Sequence, residues 1–154
     1  NMKKITRILL AFTLILGVTL GFSGRAFADD TYAGDGDYEV SVFHNSSMTT
    51  KPMKGKVDEV FERAVVVRNP NGKYKVTFYT NPITYMGFSG EVIKITMMGS
   101  NNPIVSSTPP VFTLNDVDMQ LDNGTLKADN VSCEMKIMKF IHKNVKVFLK
   151  LTKF

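Results

Sequence analysis

The feature that most constrains this chain is a series of short segments in which apolar and polar residues alternate, with turn-forming residues between them. From Tyr38 to His44 the alternation has the two-residue period of a half-buried strand. Asn69-Pro70-Asn71-Gly72 separates two such segments, and its proline and Asn-Gly pair favour a tight hairpin. The β-rich segments are Tyr38–His44, Ala64–Arg68, Lys73–Thr80, Ile83–Phe88, Glu91–Met98, Val111–Leu114, Met119–Leu121 with Thr125–Lys127, Val131–Ile141 and Asn144–Thr152. This spacing predicts an all-β antiparallel sandwich or barrel.

Two segments depart from the strand pattern. A short helix is expected somewhere within Met53–Arg63. The segment from Gly99 to Pro110 holds three prolines and four Ser/Thr residues, so it is predicted to form a long loop.

The last predicted hairpin carries apolar residues on both of its faces. Its core face is expected to contain Val131, Cys133, Met135, Ile137, Val145, Val147, Leu149 and Leu151. The opposite, lysine-rich face is interrupted by Met138, Phe140 and Phe148. Such apolar side chains either cover a neighbouring loop or line a binding groove, and the pattern leaves both alternatives open.

The first 28 residues are typical of a secretory signal peptide. Three basic residues precede an apolar or small stretch from Ile8 to Phe22, and Ala26-Phe27-Ala28 provides small residues before a cleavage site. A membrane anchor is the alternative, but the stretch of 15 residues is shorter than the roughly 20 that a spanning helix needs. We therefore predict cleavage between Ala28 and Asp29, a secreted or cell-surface location, and no membrane span in the mature chain. Residues 29–37 are predicted to be a flexible lead-in and residues 38–154 a single sandwich domain.

The charge of the mature chain makes nucleic acid an unexpected partner. The formal net charge is +5, but Lys3, Lys4, Arg7 and Arg25 all lie in the leader. The remaining 15 basic and 14 acidic side chains nearly balance, so the basic surface that nucleic acid requires is missing. Cys133 is the only cysteine, so the chain cannot form an internal disulfide and must be stabilised by burial of its core.

Motifs for catalysis are also missing from the sequence. The two histidines, His44 and His142, belong to no metal-binding or nucleophile motif. Asp116, Asp118 and Asp122 superficially suggest a calcium loop, but Leu121 and Lys127 occupy the positions where such a loop needs Gly and Glu. We therefore do not expect an enzyme.

After the leader, the order of segments resembles the NEAT (near iron transporter) domain of Gram-positive surface proteins. The quoted matches are Asp35-Gly36-Asp37-Tyr38-Glu39-Val40 with Val42-Phe43-His44, Lys51-Pro52-Met53-Lys54-Gly55, Lys73–Thr80 with Pro82-Ile83-Thr84-Tyr85-Met86-Gly87-Phe88-Ser89-Gly90, and Glu134–Leu151. Together they cover about residues 35–154. The resemblance implies an immunoglobulin-like antiparallel β-sandwich with one short helical lip. It also implies haem held between the lip, Met48–Lys56, and the hairpin Met138–Phe148.

The sequence departs from the family at its iron ligands. NEAT haem binders usually carry Tyr-x-x-x-Tyr on the last strand, and Ile141 and Val145 stand at the matching positions here. Haem iron also accepts His, Met or Cys, so Met53, Met138 and His142 are the candidate axial ligands, of which at most two can bind. Tyr85, Phe88, Phe140 and Phe148 are candidate aromatic walls, and ordinary core packing is the alternative for each of them. The lysines expected to pair with haem propionates are Lys136, Lys139, Lys143 and Lys146.

Two functions follow from the resemblance. The first is binding and relay of haem in iron acquisition, with haem or a haemoprotein as the partner. The second is a cofactor-free adhesion module that binds a host or surface protein through its lip and strand edges, as the missing tyrosines would permit.

Overall fold

The computed structural model describes residues 31–100 and 103–154, and for residues 53 and 54 it describes the backbone alone. The predicted leader, residues 1–28, and its cleavage site lie outside the described residues. The described elements are β1 (Gly36–Phe43), a 3-10 helix (Pro52–Val60, here the lip helix), β2 (Phe61–Arg68), β3 (Tyr74–Thr80), β4 (Ile83–Tyr85), β5 (Phe88–Thr96), β6 (Ile104–Val105), β7 (Val111–Val117), β8 (Gln120–Asp122), β9 (Thr125–Ile137) and β10 (Ile141–Lys153).

The strand boundaries differ from the sequence prediction at a few points. Ile83–Phe88 is not one strand, because Met86 and Gly87 form a two-residue turn between β4 and β5. Ile104–Val105, inside the predicted long loop, pairs with β7. β9 is continuous from Thr125 to Ile137. The polar residues that interrupt its alternation lie in a β-bulge, where the register with β10 shifts between Val147 and Leu149.

All strands join in one antiparallel sheet of order β4-β5-β9-β10-β1-β2-β3-β7-β6, and β8 pairs with β9 beside this path. β1 connects the two halves of the sheet. Its residues Tyr38–Phe43 pair with β10, and Gly36–Tyr38 pair with β2. The chain therefore closes its sheet by pairing its first described strand with its last.

The sheet folds over a single hydrophobic core. β5 and β7 lie far apart in the strand order, yet the N–H of Asp118, just after β7, donates to the carbonyl of Met98, just after β5, at 2.9 Å. The inward faces of both halves meet in one cluster, whose largest fully buried members are Tyr38, Tyr74, Phe78, Phe112, Ile95, Leu114, Leu126, Leu149 and Leu151. The predicted fold class, an all-β antiparallel sandwich with one short helix, is confirmed.

Residues 31–37, the described part of the segment expected to form a flexible lead-in, contact the sandwich. β1 already begins at Gly36. The hydroxyl of Tyr32 donates to Asp35 at 2.6 Å, and its ring lies 5.8 Å from the ring of Tyr74. The backbone N–H of Arg68 also donates to Asp35, and these two hydrogen bonds lower the pKa of the Asp35 carboxyl. The segment is thereby attached to β2 and β3.

Candidate functional site

An apolar cavity of about 260 Å³ lies between the lip helix and the last hairpin. β1, the lip helix and the start of β2 form one side of it, and β5, β9 and β10 form the other. The lining residues are Val42, Pro52, Val57, Phe61, Val92, Cys133, Met135, Ile137, Lys143, Val145 and Val147. This is the part of the fold where the resemblance to NEAT domains places haem.

The lip helix is fixed over the end of β1 by polar contacts as well as by packing. Pro52 occupies its first turn, where a missing N–H removes no hydrogen bond. The Asp58 carboxylate accepts a hydrogen bond from the backbone N–H of Val42 at 2.7 Å. It also forms an ion pair with Lys51 at 2.5 Å. Val57 and Val60 are buried on the inner side. The helix therefore forms a wall of the cavity that is anchored at Asp58.

The hairpin β9–β10 supplies the opposite wall through strand alternation. Val145 pairs with Cys133, and Lys143 pairs with Met135. Residues two apart on a strand share a face, so Lys143, Val145 and Val147 all face the cavity from β10. Ile141 shares the same row, so both residues that the resemblance aligns with the NEAT tyrosine pair lie on the cavity side of the strand.

A second apolar cavity of about 160 Å³ adjoins the first under the hairpin β4–β5. Met135 and Ile137 line both cavities. The other lining residues of the second cavity are Ile83, Tyr85, Phe88, Ser89 and Gly90. The first cavity alone is slightly smaller than the roughly 300–1,000 Å³ typical of ligand pockets, and the second adds volume beside it.

Three lining residues of the first cavity carry chemistry. Lys143 is its charged residue and makes no ion pair within the described part of the chain. Burial raises the pKa of the Cys133 thiol to about 12, so the thiol is protonated at neutral pH and is not the thiolate that binds metals. Met135 offers a buried thioether, which needs no deprotonation to bind iron. Across residues 31–100 and 103–154, no cluster of three or more His, Cys, Asp or Glu side chains could hold a metal ion.

The structure separates the seven residues predicted as iron ligands or aromatic walls of the haem site. Tyr85 and Phe88 line the second cavity. Met53 lies in the lip helix, but its side chain lies outside the described residues. Met138 and Phe140 occupy the exposed turn between β9 and β10, and they line neither cavity. Phe148 is half-buried on the face of β10 that points away from the cavity, opposite Phe43 of β1.

His142 also points away from the cavity, because it alternates with Ile141 and Lys143 along β10. Its side chain is exposed, and its Nδ1 lies 3.3 Å from the Oε2 of Glu134 on the outer face of the sheet. Neither His142 nor Met138 lines the first cavity. The imidazole nearest to the hairpin tip therefore faces away from the cavity.

Met135 lines the first cavity but was not among the ligand candidates that the sequence suggested, whereas Lys143 was one of four lysines expected near the propionates. Met135 was assigned to the core face of the hairpin. The available signal was the alternation itself, since Met135 and Lys143 share the face of Cys133 and Val145. Sequence alone does not show that the core is open at this point.

No protein-family model matches the chain, and no curated protein or solved structure is significantly similar to it. In the part of the chain that the structure describes, no helix is long and apolar enough to cross a bilayer.

Proposed function

We propose that this protein is a divergent NEAT-type domain that binds haem in the apolar cavity between the lip helix and the hairpin β9–β10. The observation that carries the proposal is the composition of the cavity lining. The lining is apolar except for one thioether, one lysine ammonium group and the thiol of Cys133, which is protonated. Haem sites have this composition, since they bury a large apolar ring and anchor it by few polar groups. The resemblance to NEAT domains predicts the same location.

Within this proposal, Met135 is the iron ligand and Lys143 pairs with a propionate. Met135 replaces the earlier candidates Met138 and His142, because its side chain is the buried thioether that lines both cavities. A thioether ligand favours ferrous iron and a higher potential than tyrosinate does. We therefore propose tighter binding in reducing buffer, and a role in passing haem between donor and acceptor proteins outside the cytoplasm.

The test is titration of hemin into the protein with and without dithionite, followed by the Soret band. Wild type is expected to show a saturable band that is strongest after reduction. Met135→Leu keeps the volume but removes the sulfur, so it is expected to shift the reduced band and to weaken binding at least tenfold. Lys143→Gln is expected to weaken binding a few-fold.

Matched controls separate ligation from packing. Met97 is also buried, but it lies just after the end of β5 and lines neither cavity, so Met97→Leu is expected to bind hemin like wild type. His142→Ala and Met138→Ala are also expected to match wild type. If wild type shows no saturable band in either redox state, haem binding is wrong, and cofactor-free binding of another protein becomes the better proposal.

A gain-of-function variant tests the location of the site independently. Ile141 and Val145 lie on the cavity-facing row of β10, at the positions of the family's tyrosine pair. Ile141→Tyr combined with Val145→Tyr is therefore expected to tighten ferric hemin binding at least tenfold and to add a tyrosinate charge-transfer band. The same pair of tyrosines at Lys146 and Lys150, on the opposite face of β10, should leave hemin binding unchanged.

A further inference from the structure

Two hairpin tips at one end of the sandwich expose large apolar side chains next to each other. We call this surface the tip patch; it consists of Met86, Phe88, Met138, Phe140 and Ile141. The tips are adjacent because Gly90 pairs with Ile137, and the N–H of Met138 donates to the carbonyl of Ser89 at 2.9 Å. Phe140 is 86% exposed and Met86 is 79% exposed. Such a cluster of exposed apolar side chains indicates an interaction surface.

The backbone of the tips is unfavourable for the residues that occupy it. Met86, Met138 and Lys139 have φ values of 52°, 55° and 66°, in the left-handed region that favours Gly, Asn and Asp. The turn between β8 and β9 has the same type of geometry and carries the expected Asn123-Gly124. Apolar side chains at the tips therefore oppose folding locally, which is typical of residues kept for binding.

The charge around the tips is positive and free of acidic residues. Residues 85–89 and 138–143 contain Lys139 and Lys143 but no Asp or Glu. Neither lysine forms an ion pair with any described residue. The nearest carboxylates along the strands are Glu134, which contacts His142, and Glu91. The tip patch thus combines exposed apolar groups with uncompensated positive charge.

We propose that the tip patch docks onto an anionic lipid bilayer, with Met86 and Phe140 inserted into the headgroup region and Lys139 at the anionic surface. Protein interfaces are enriched in Phe and Met, as the tip patch is, but their usual basic residue is Arg, and Lys is depleted there. The basic residues at the tips are both lysines, so a protein partner is less favoured. Apolar side chains combined with lysines are instead the composition of interfacial membrane-binding segments. Two narrow tips also enter a headgroup layer more easily than a flat face of the sheet would.

The experiment is co-sedimentation of residues 29–154 with vesicles, because the apolar stretch Ile8–Phe22 would itself bind lipid. These residues contain the whole described core, from Tyr38 to Leu151. Binding to phosphatidylcholine vesicles with 30% phosphatidylglycerol is expected to exceed binding to pure phosphatidylcholine at least tenfold, and to weaken as salt rises. Lys139→Gln is expected to weaken it about fivefold, whereas Lys75→Gln on β3 has little effect.

The contribution of the exposed apolar side chains to lipid binding is tested by Met86→Asn combined with Phe140→Ser. The double variant is expected to bind at least tenfold more weakly without a lower unfolding temperature, because asparagine suits the φ of residue 86 and both side chains are exposed. Phe154 is 72% exposed at the opposite end of β10, so Phe154→Ser is expected to bind like wild type.

Three outcomes overturn the proposal. The first is wild type that does not bind anionic vesicles, which would make a protein the better occupant of the tip patch. The second is a Met86→Asn, Phe140→Ser variant that binds like wild type. The third is a Phe154→Ser variant that loses as much binding as the double variant. None of these results depends on hemin binding, so the two proposals fail separately.

Discussion

At the scale of single residues, the environment of the last hairpin decides which side chains can react. Cys133 and Met135 carry sulfur two positions apart on β9, and both line the first cavity. The thiol is unavailable as a thiolate because burial raises its pKa, whereas the thioether is unaffected by pH. The lone cysteine is therefore expected to be inert to thiol reagents in the native protein at pH 8 and to react after denaturation.

Cys133 also makes stability depend on alkaline pH. The pKa of the thiol is about 12 in the folded protein against 9.0 for an unperturbed cysteine, so the folded state holds its proton longer than the unfolded state. This stabilisation is complete below pH 9 and is lost as the pH rises from 9 towards 12, by up to about 1.4 kcal/mol per pH unit. Urea unfolding should show wild type losing about 1 kcal/mol more than Cys133→Val between pH 9 and 10.

The comparison is limited to that interval because other buried groups act in the same direction at higher pH. Burial raises the pKa of the Tyr38 and Tyr74 hydroxyls above 10, and burial with the Asp35 hydrogen bond does the same for Tyr32. Equal slopes for wild type and Cys133→Val would show that water reaches the thiol through the cavity.

At the scale of elements, the turns determine how the two halves of the sheet meet. Gly99 follows β5 with φ of 92°, and a Cβ at this position would lie 2.5 Å from the carbonyl oxygen of Asp116, near the end of β7. Gly72 in the β2–β3 turn has a similar φ of 86°, but a Cβ there would meet nothing within 4 Å. Substitution of Gly72 therefore tests backbone strain alone, and substitution of Gly99 tests backbone strain together with a steric clash.

Gly72→Ala is expected to cost about 1 kcal/mol of unfolding free energy, because only the left-handed backbone penalises it. Gly99→Ala is expected to cost about 3 kcal/mol or more, because the ends of β5 and β7 must also move apart. Urea denaturation of both variants measures the difference. Similar costs for the two would mean that the contact between these strand ends is looser than the structure shows.

At the scale of the whole molecule, the pairing of β1 with β10 holds the sandwich closed. The register runs from Tyr38 opposite Lys153 to Phe43 opposite Phe148, so the contact joins the two ends of the described chain. Leu149 and Leu151 are fully buried in the same strand. Pairs so far apart in the sequence are typical of slow-folding β proteins.

Removal of residues 148–154 is therefore expected to unfold the domain. The deletion takes two buried leucines from the core, each worth about 2–5 kcal/mol, and leaves the β10 side of β1 unpaired. The total loss is comparable to the usual domain stability of about 5–15 kcal/mol. Far-ultraviolet circular dichroism and amide dispersion in NMR measure the loss. Removal of Phe154 alone should leave the fold intact, and a folded 148–154 deletion would show that β1 finds another partner.

The sequence by itself determined the fold class, most strand positions and the place of the lip helix. These properties depend on neighbouring residues, since alternation, Asn-Gly turns and proline act within a few positions of the chain. The sequence also predicted which apolar side chains share a face of β9 and β10, for the same reason.

Only the tertiary structure decided which residues share the cavity and which do not. His142 and Met138 are close to Ile141 in sequence, but strand alternation and the tight turn place them on the outer face and at the tip. Met135 was assigned to the core by its alternation, and it lines a cavity because the lip helix, anchored through Asp58, and the strands opposite it enclose a space beside it. The tip patch likewise exists because β5 pairs with β9 in a register that brings two distant turns together. Pairing between distant segments fixes these neighbours, and no local pattern encodes it.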